Sequence, residues 1–384
     1  MSRNRAESYT KRTEIRASKS KSDYFTTGGL LVSTRVRSFC KINLGLAVGP
    51  ARSDGFHQLS TVYQTLQLHD FVTVTATTAS TTTIEITSNH RAVPRTEAGS
   101  AERNTAWKMV QRTLDCLNIT ANVQIHIEKT LPIQGGMGAG SANAAAASLG
   151  LERELDVALP GPARLEVAAE VGSDVPLFLL GGTVLGLNRG EEVYPLPDTA
   201  PLPCVVALPD IGVSTALAFQ QLDAAQLTSG QAVDKLKQLS RALASVWSTT
   251  GVESGPSGIA FMDRIGLIPN DFPSGLASEM RDVSGDLAEN PLLALVRTGI
   301  ENDFEEVVFS QHPSLRSTKR DLVGSSSESA VYAALSGSGS ALFGLYKSQT
   351  DALAAQHRVQ QNGTRAILTE TLPRRKYWNT MFAE

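Results

Sequence analysis

The chain is poor in cysteine. Its three thiols, Cys40, Cys116 and Cys204, are odd in number and widely separated. That pattern excludes a disulfide framework and a thiolate metal site, and it fits a reducing cytoplasm. The six histidines show no paired ligand spacing, so no zinc centre is expected. Neither sign of charge is in excess: the net charge of −3 gives no electrostatic case for nucleic acid or an anionic membrane. No apolar run approaches the ~18–20 residues of a membrane span. What remains is a chain of 384 residues with 41% hydrophobic content, enough to bury the core of two domains or of one large two-lobed one.

Residues 1–28 are rich in Ser, Thr, Lys and Arg and lack an apolar pattern. The expectation is a disordered basic tail over 1–30. A transit peptide is the alternative, and Glu7, Glu14 and Asp23 weigh against it. Alternation predicts one or two strands over 31–48, β-rich stretches at 71–77 and 83–88, and a strand at 121–129. Residues 50–57 read as a turn, and a helical period runs over 103–118. A second helix is expected near 163–171 and a strand at 181–187. Beyond residue 200 come a strand at 203–208, a helix from Ser214 or Thr215, and a long helix near 233–248. Residues 249–290, rich in Gly, Ser, Pro and Asp, read as a long loop. Helices near 291–297, 301–310 and 312–323 follow, then a Gly/Ser turn at 336–340 between apolar runs. A helix near 349–360 and a strand near 364–371 close the expected fold.

Residues 131–147, Leu-Pro-Ile-Gln-Gly-Gly-Met-Gly-Ala-Gly-Ser-Ala-Asn-Ala-Ala-Ala-Ala, say most about chemistry. Gly135, Gly136, Gly138 and Gly140 fall within six positions, ahead of an Ala-rich run that should be helical. Ser141 reads as the helix N-cap. Free N–H groups at a helix start attract anions, so the segment reads as a phosphate cradle. No lysine follows Gly140, which excludes a Walker loop, and Ser141 stands where a dinucleotide fingerprint needs its third glycine. A merely glycine-rich helix entry is the bland alternative.

Lys41 lies in an apolar, β-like run, where a charge is costly unless paired; the alternative is a strand-edge lysine with its head in water. Asn43 has the same in/out parity and can face the same pocket. Asp174, in Gly172-Ser173-Asp174-Val175-Pro176, is either a proton acceptor or a turn cap.

Four segments together carry a resemblance: Phe39-Cys40-Lys41-Ile42-Asn43-Leu44, Asp54-Gly55-Phe56-His57, the glycine loop with residues 172–176, and Leu335-Ser336-Gly337-Ser338-Gly339-Ser340. From about residue 33 to 375 the chain resembles the GHMP kinase superfamily, and within it the kinases of a CDP-linked methylerythritol. The resemblance implies an α+β fold of two lobes, a β-rich first lobe over 31–198 and a ferredoxin-like second lobe over 199–384, with the active site in the cleft between them. It implies ATP-dependent phosphorylation of the 2-hydroxyl of the methylerythritol unit, in non-mevalonate isoprenoid precursor synthesis, with Mg²⁺ as cofactor. Lys41 and Asp174 are then the catalytic pair. Pro132, Gly135, Gly136, Gly138, Gly140, Ser141 and Asn104 are the ATP-binding set, Ser141 also touching the metal. Asn104 is equally a helix cap. Asn43, Phe56, His57 and Phe219 are the substrate-binding set, in which Phe56 and His57 read cytosine. Phe56 stands where Tyr is usual, which keeps the stacking face and loses a hydroxyl. Phe219 either sandwiches the base or packs in the core. Cys40 replaces the usual Ala and reads as a small buried residue. Another GHMP kinase, for mevalonate or homoserine, has no use for Phe56-His57; a nucleotide-sensing regulator has no use for Lys41 and Asp174. A cytoplasmic monomer or weak homodimer acting on small molecules is expected.

Overall fold

The computed structural model describes residues 33–133, 135–229, 296, 301–325 and 329–383. The basic tail, the helix near 233–248, the 249–290 loop and most of the helix near 291–297 lie outside the described residues.

Two long antiparallel strands form the spine, β1 (Thr34–Ala51) and β2 (His57–Thr78). The strand expected at 71–77 is only the end of β2. Its first half is hidden from a hydrophobic pattern because Thr61, Gln64 and Thr65 are buried polar residues. β3 (Thr83–Ser88) runs parallel to β4 (Ala121–Glu128), which pairs with the second half of β2. β5 (Thr183–Asn188) pairs with the first half of β2, and β6 (Glu192–Pro195) pairs with β5. Helices α1 (Thr105–Leu117), α2 (Ala139–Glu154) and α3 (Gly161–Val171) belong to this lobe. The Ala-rich α2 is buried almost all round, as expected of a helix without a polar face, and shares a core with Val36, Val72 and Val74 of the sheet.

The second sheet is β7 (Pro203–Leu208), β8 (Tyr332–Leu335), β9 (Leu342–Leu345) and β10 (Arg365–Glu370), in the antiparallel order β10-β7-β9-β8. That order is ferredoxin-like. Its helices are α4 (Thr215–Ser229), α5 (Phe304–Gln311), α6 (Pro313–Val323) and α7 (Gln349–Gln361). Period-2 alternation divides β7 between two cores. Val205 and Ala207 face α4, α5 and α6, whereas Cys204 and Val206 join Ile42 and Leu44 of β1. This second cluster is the apolar joint between the lobes.

The chain does not close at residue 371 as expected. Helix α8 (Arg374–Thr380) and β11 (Phe382–Ala383) follow, and β11 pairs with β1 in the first sheet. Arg374 guides the return by donating to the carbonyls of Gly181, Thr183 and Leu196 at 3.1, 2.7 and 3.0 Å. A two-residue strand carries no periodicity to read.

Candidate active site

The glycine loop sits where the lobes meet. Gly136 (φ +72°) and Gly138 (φ +68°) adopt the left-handed conformation that side chains avoid. A Cβ on Gly136 would lie 1.8 Å from the Ser336 carbonyl oxygen, and Ser336 Oγ donates to the Gly136 carbonyl at 3.0 Å. The 336–340 turn therefore packs directly on the loop. Asn302 holds that turn from below through the carbonyls of Leu335 and Gly337, both at 2.8 Å.

Helix α2 begins at Ala139 with Gly138 as its N-cap, three residues earlier than a Ser141 cap requires. The left-handed Gly138 ends the loop and starts the helix, so Ser141 lies inside the first turn. Its hydroxyl has no partner among the described residues. The N–H groups of residues 135–141 likewise donate to no described residue. They border an open pocket of about 380 Å³ that is also lined by Pro132, Ile133, Asn104, Arg103 and Lys129. Asn104 caps α1, accepting from Ala106 N at 2.9 Å and donating to Pro94 O at 2.9 Å, while it lines this pocket. Asn104 is thus a helix cap whose residue also borders the pocket.

Lys41 and Asp174 are brought together. Lys41 is 3% exposed, and its Nζ lies 3.5 Å from Asp174 Oδ2. Strand parity turns Cys40, Ile42 and Leu44 toward the second lobe and Lys41 and Asn43 to the opposite face. Lys41 donates to Asn43 Oδ1 at 2.7 Å, and Asn43 Nδ2 donates to Thr61 Oγ1 at 2.8 Å. The buried Asn43 thereby orients the ammonium group. Tyr63, directly opposite Asn43 across the β1–β2 ladder, donates to Asp174 Oδ1 at 3.1 Å. Burial, reinforced by the Asp174 charge, holds the Tyr63 phenol well above its usual value, so it stays a donor. Burial likewise pushes the Cys40 thiol up, which matches a packing role.

The opposite end of the cleft is built from side chains. His57 stacks on Phe219 with centroids 4.7 Å apart and planes 18° apart, and its Nε2 lies 2.6 Å from Asp223 Oδ1 on α4. Phe219 also meets Phe304 edge-on at 4.9 Å. Phe219 thus packs between His57 and Phe304. Phe56 is half exposed, with the Arg189 guanidinium 5.0 Å from its ring centre.

The GHMP kinases N terminal domain matches residues 104–182, and the GHMP kinases C terminal domain matches 286–365. A 4-diphosphocytidyl-2-C-methyl-D-erythritol kinase of Solibacter usitatus (strain Ellin6076) is 32% identical over 350 residues, 91% of this chain and 93% of that one. The chain belongs to the 4-diphosphocytidyl-2-C-methyl-D-erythritol kinase family. A crystal structure of a 4-(cytidine 5'-diphospho)-2C-methyl-D-erythritol kinase superposes with a TM-score of 0.56, covering 88% of this chain and 98% of that one at 23% identity. A homoserine kinase of Cytophaga hutchinsonii superposes as well (TM-score 0.57, 18% identity, 91% and 97% covered), so the fold alone does not separate the branches of the superfamily. Membership of a GHMP kinase family implies use of ATP.

Sequence reasoning missed Tyr63, Thr61, Asp223, Arg103 and Lys129 of this family member's cleft. The parity of Thr61, Tyr63 and Thr65 on one strand was a usable signal. Lys129 was not readable. Its ammonium group pairs with the fully buried Asp70, which also accepts from the backbone N–H groups of Thr130 and Leu131 at 2.9 and 2.8 Å. That buried pair fixes the entry to the glycine loop.

Proposed function

We propose that the chain transfers the γ-phosphoryl group of ATP to the 2-hydroxyl of 4-diphosphocytidyl-2-C-methyl-D-erythritol, a step of non-mevalonate isoprenoid precursor synthesis. The approach of Lys41 to Asp174 beside a row of loop N–H groups that donate to no described residue is the observation that carries this reading. Phosphoryl transfer asks a protein mainly for positioning and for charge neutralisation. The N–H groups of residues 135–141 grip phosphate oxygens at the positive end of α2. Asp174, aimed by Tyr63 and Lys41, takes the proton from the attacking alcohol. Lys41, aimed by Asn43, offsets the negative charge that collects around the reacting oxygens.

Among the described residues no group of three His, Cys, Asp or Glu could hold a metal ion. That fits Mg²⁺, which binds largely through phosphates and water and needs only one or two protein oxygens. The Ser141 hydroxyl in the first turn of α2, without a partner among the described residues, suits such a ligand. When bound, the metal would neutralise phosphate charge. At the other end, Phe56, His57 and Phe219 receive the cytosine.

The test is ADP release from ATP and Mg²⁺ with the CDP-linked alcohol, mevalonate or homoserine as acceptor. Turnover is expected with the CDP-linked alcohol alone. Asp174→Asn should lower kcat by on the order of 10²–10⁴-fold. Turnover of mevalonate or homoserine instead would move the chain to another branch of the superfamily.

A further inference from the structure

We propose that Asp223 is the positioning residue that sets the hydrogen-bonding polarity of His57, and through it the choice of base. The inference rests on the cytidine reading above and extends it to a residue outside the recognition motif. A carboxylate only accepts, so the 2.6 Å contact requires the proton of a neutral His57 ring to sit on Nε2. Nδ1 is then a bare acceptor, and no described residue donates to it.

The ring cannot swing away from this arrangement freely. It lies flat against Phe219, and the side chain is 9% exposed whereas Asp223 is 40% exposed. Asp223 and Phe219 are one helical turn apart on α4, so a single helix face supplies both the stacking surface and the carboxylate. His57 begins β2 in the other lobe. A bare imidazole acceptor suits the exocyclic amino group of cytosine. It repels the carbonyl oxygen that uracil carries at the same position.

A plain tether between the lobes is the competing role, and Asp223→Asn separates the two. The asparagine keeps the shape and can turn its amide nitrogen toward Nε2, which moves the ring proton to Nδ1. The tether survives and the polarity reverses. Long-range ¹H–¹⁵N spectra of histidine-labelled protein at pH 8, with His57→Gln to assign the signal, read the tautomer without any substrate. The wild type should show an unprotonated Nδ1, and Asp223→Asn a protonated one. In turnover, Asp223→Asn should raise KM for the CDP-linked alcohol about tenfold, the effect of one misplaced hydrogen bond. KM for ATP and kcat should stay within about twofold. Discrimination against the UDP-linked analogue should shrink by about the same tenfold.

A wild type that carries its ring proton on Nδ1 overturns the role of Asp223. So does a parallel rise in both KM values. A wild type that ignores the CDP-linked alcohol refutes the substrate reading, and the spectra still decide what Asp223 does to the ring.

Discussion

The two ends of the proposed substrate cleft, one assigned to phosphate and one to the base, are made of different material. The phosphate end is main chain: residues 135–141 present N–H groups, and their neighbours are rigid backbone such as the Ser336 carbonyl. The base end is side chain: Phe56 and His57 from the strand entry and Phe219 and Asp223 from α4, with Phe56 half exposed. Main chain offers the same groups whatever the residue, but only if every Cβ stays out of the way. Side chains can be exchanged without disturbing the fold, and each exchange alters what is recognised. The first end is therefore stiff and generic, the second tolerant and selective.

The strongest challenge to this contrast is Gly136→Ala. The new methyl group would meet the Ser336 carbonyl at 1.8 Å, in a backbone conformation that alanine disfavours. A loss of more than about 3 kcal/mol is expected, with ATP turnover abolished; denaturant unfolding and ADP release measure the two effects. Phe56→Ala should do the reverse. Its stability should change by no more than about 1 kcal/mol, since the side chain is half exposed and its ring faces the Arg189 guanidinium at the surface. KM for the cytidine substrate should rise about tenfold, the usual worth of one stacking face, with KM for ATP unchanged. Equal sensitivity of stability at both ends would break the comparison.

The smallest effect belongs to a residue at neither end. Burial holds the His69 imidazole below its usual value of 6.5, against the pull of its hydrogen bond to the Gln67 carbonyl. Between the lowered folded value and 6.5 the unfolded chain binds more protons. Stability from this group is thus complete above 6.5 and is lost as pH falls toward the folded value. His69→Gln should flatten the acid side of a Tm-against-pH curve and leave KM values alone.

The phosphate end was legible in the sequence because its determinants are local. Four glycines and an alanine run specify a loop and a helix within 17 residues. Only the helix start was misplaced, because Gly138 rather than Ser141 caps it. The pairing of Lys41 with Asp174 was readable through family likeness and strand parity. Tyr63 was signalled only by its parity with Thr61 and Thr65, a weak cue because the strand that carries it buries polar side chains and breaks the alternation rule. Asp223 was out of reach for another reason: its partner lies 166 positions away, and nothing around it forms a motif. Local patterns report backbone chemistry well, whereas long-range side-chain pairs become visible only after folding.

The return of β11 to the first sheet has an outcome for biosynthesis. Arg37 and the Phe382 carbonyl it contacts are 345 residues apart. A ribosome delivers β1 hundreds of residues before its outer neighbour. Throughout that interval one flank of the largest sheet is an unpaired edge, open to pairing with another nascent chain. Trimming residues 374–383 would make that transient hazard permanent.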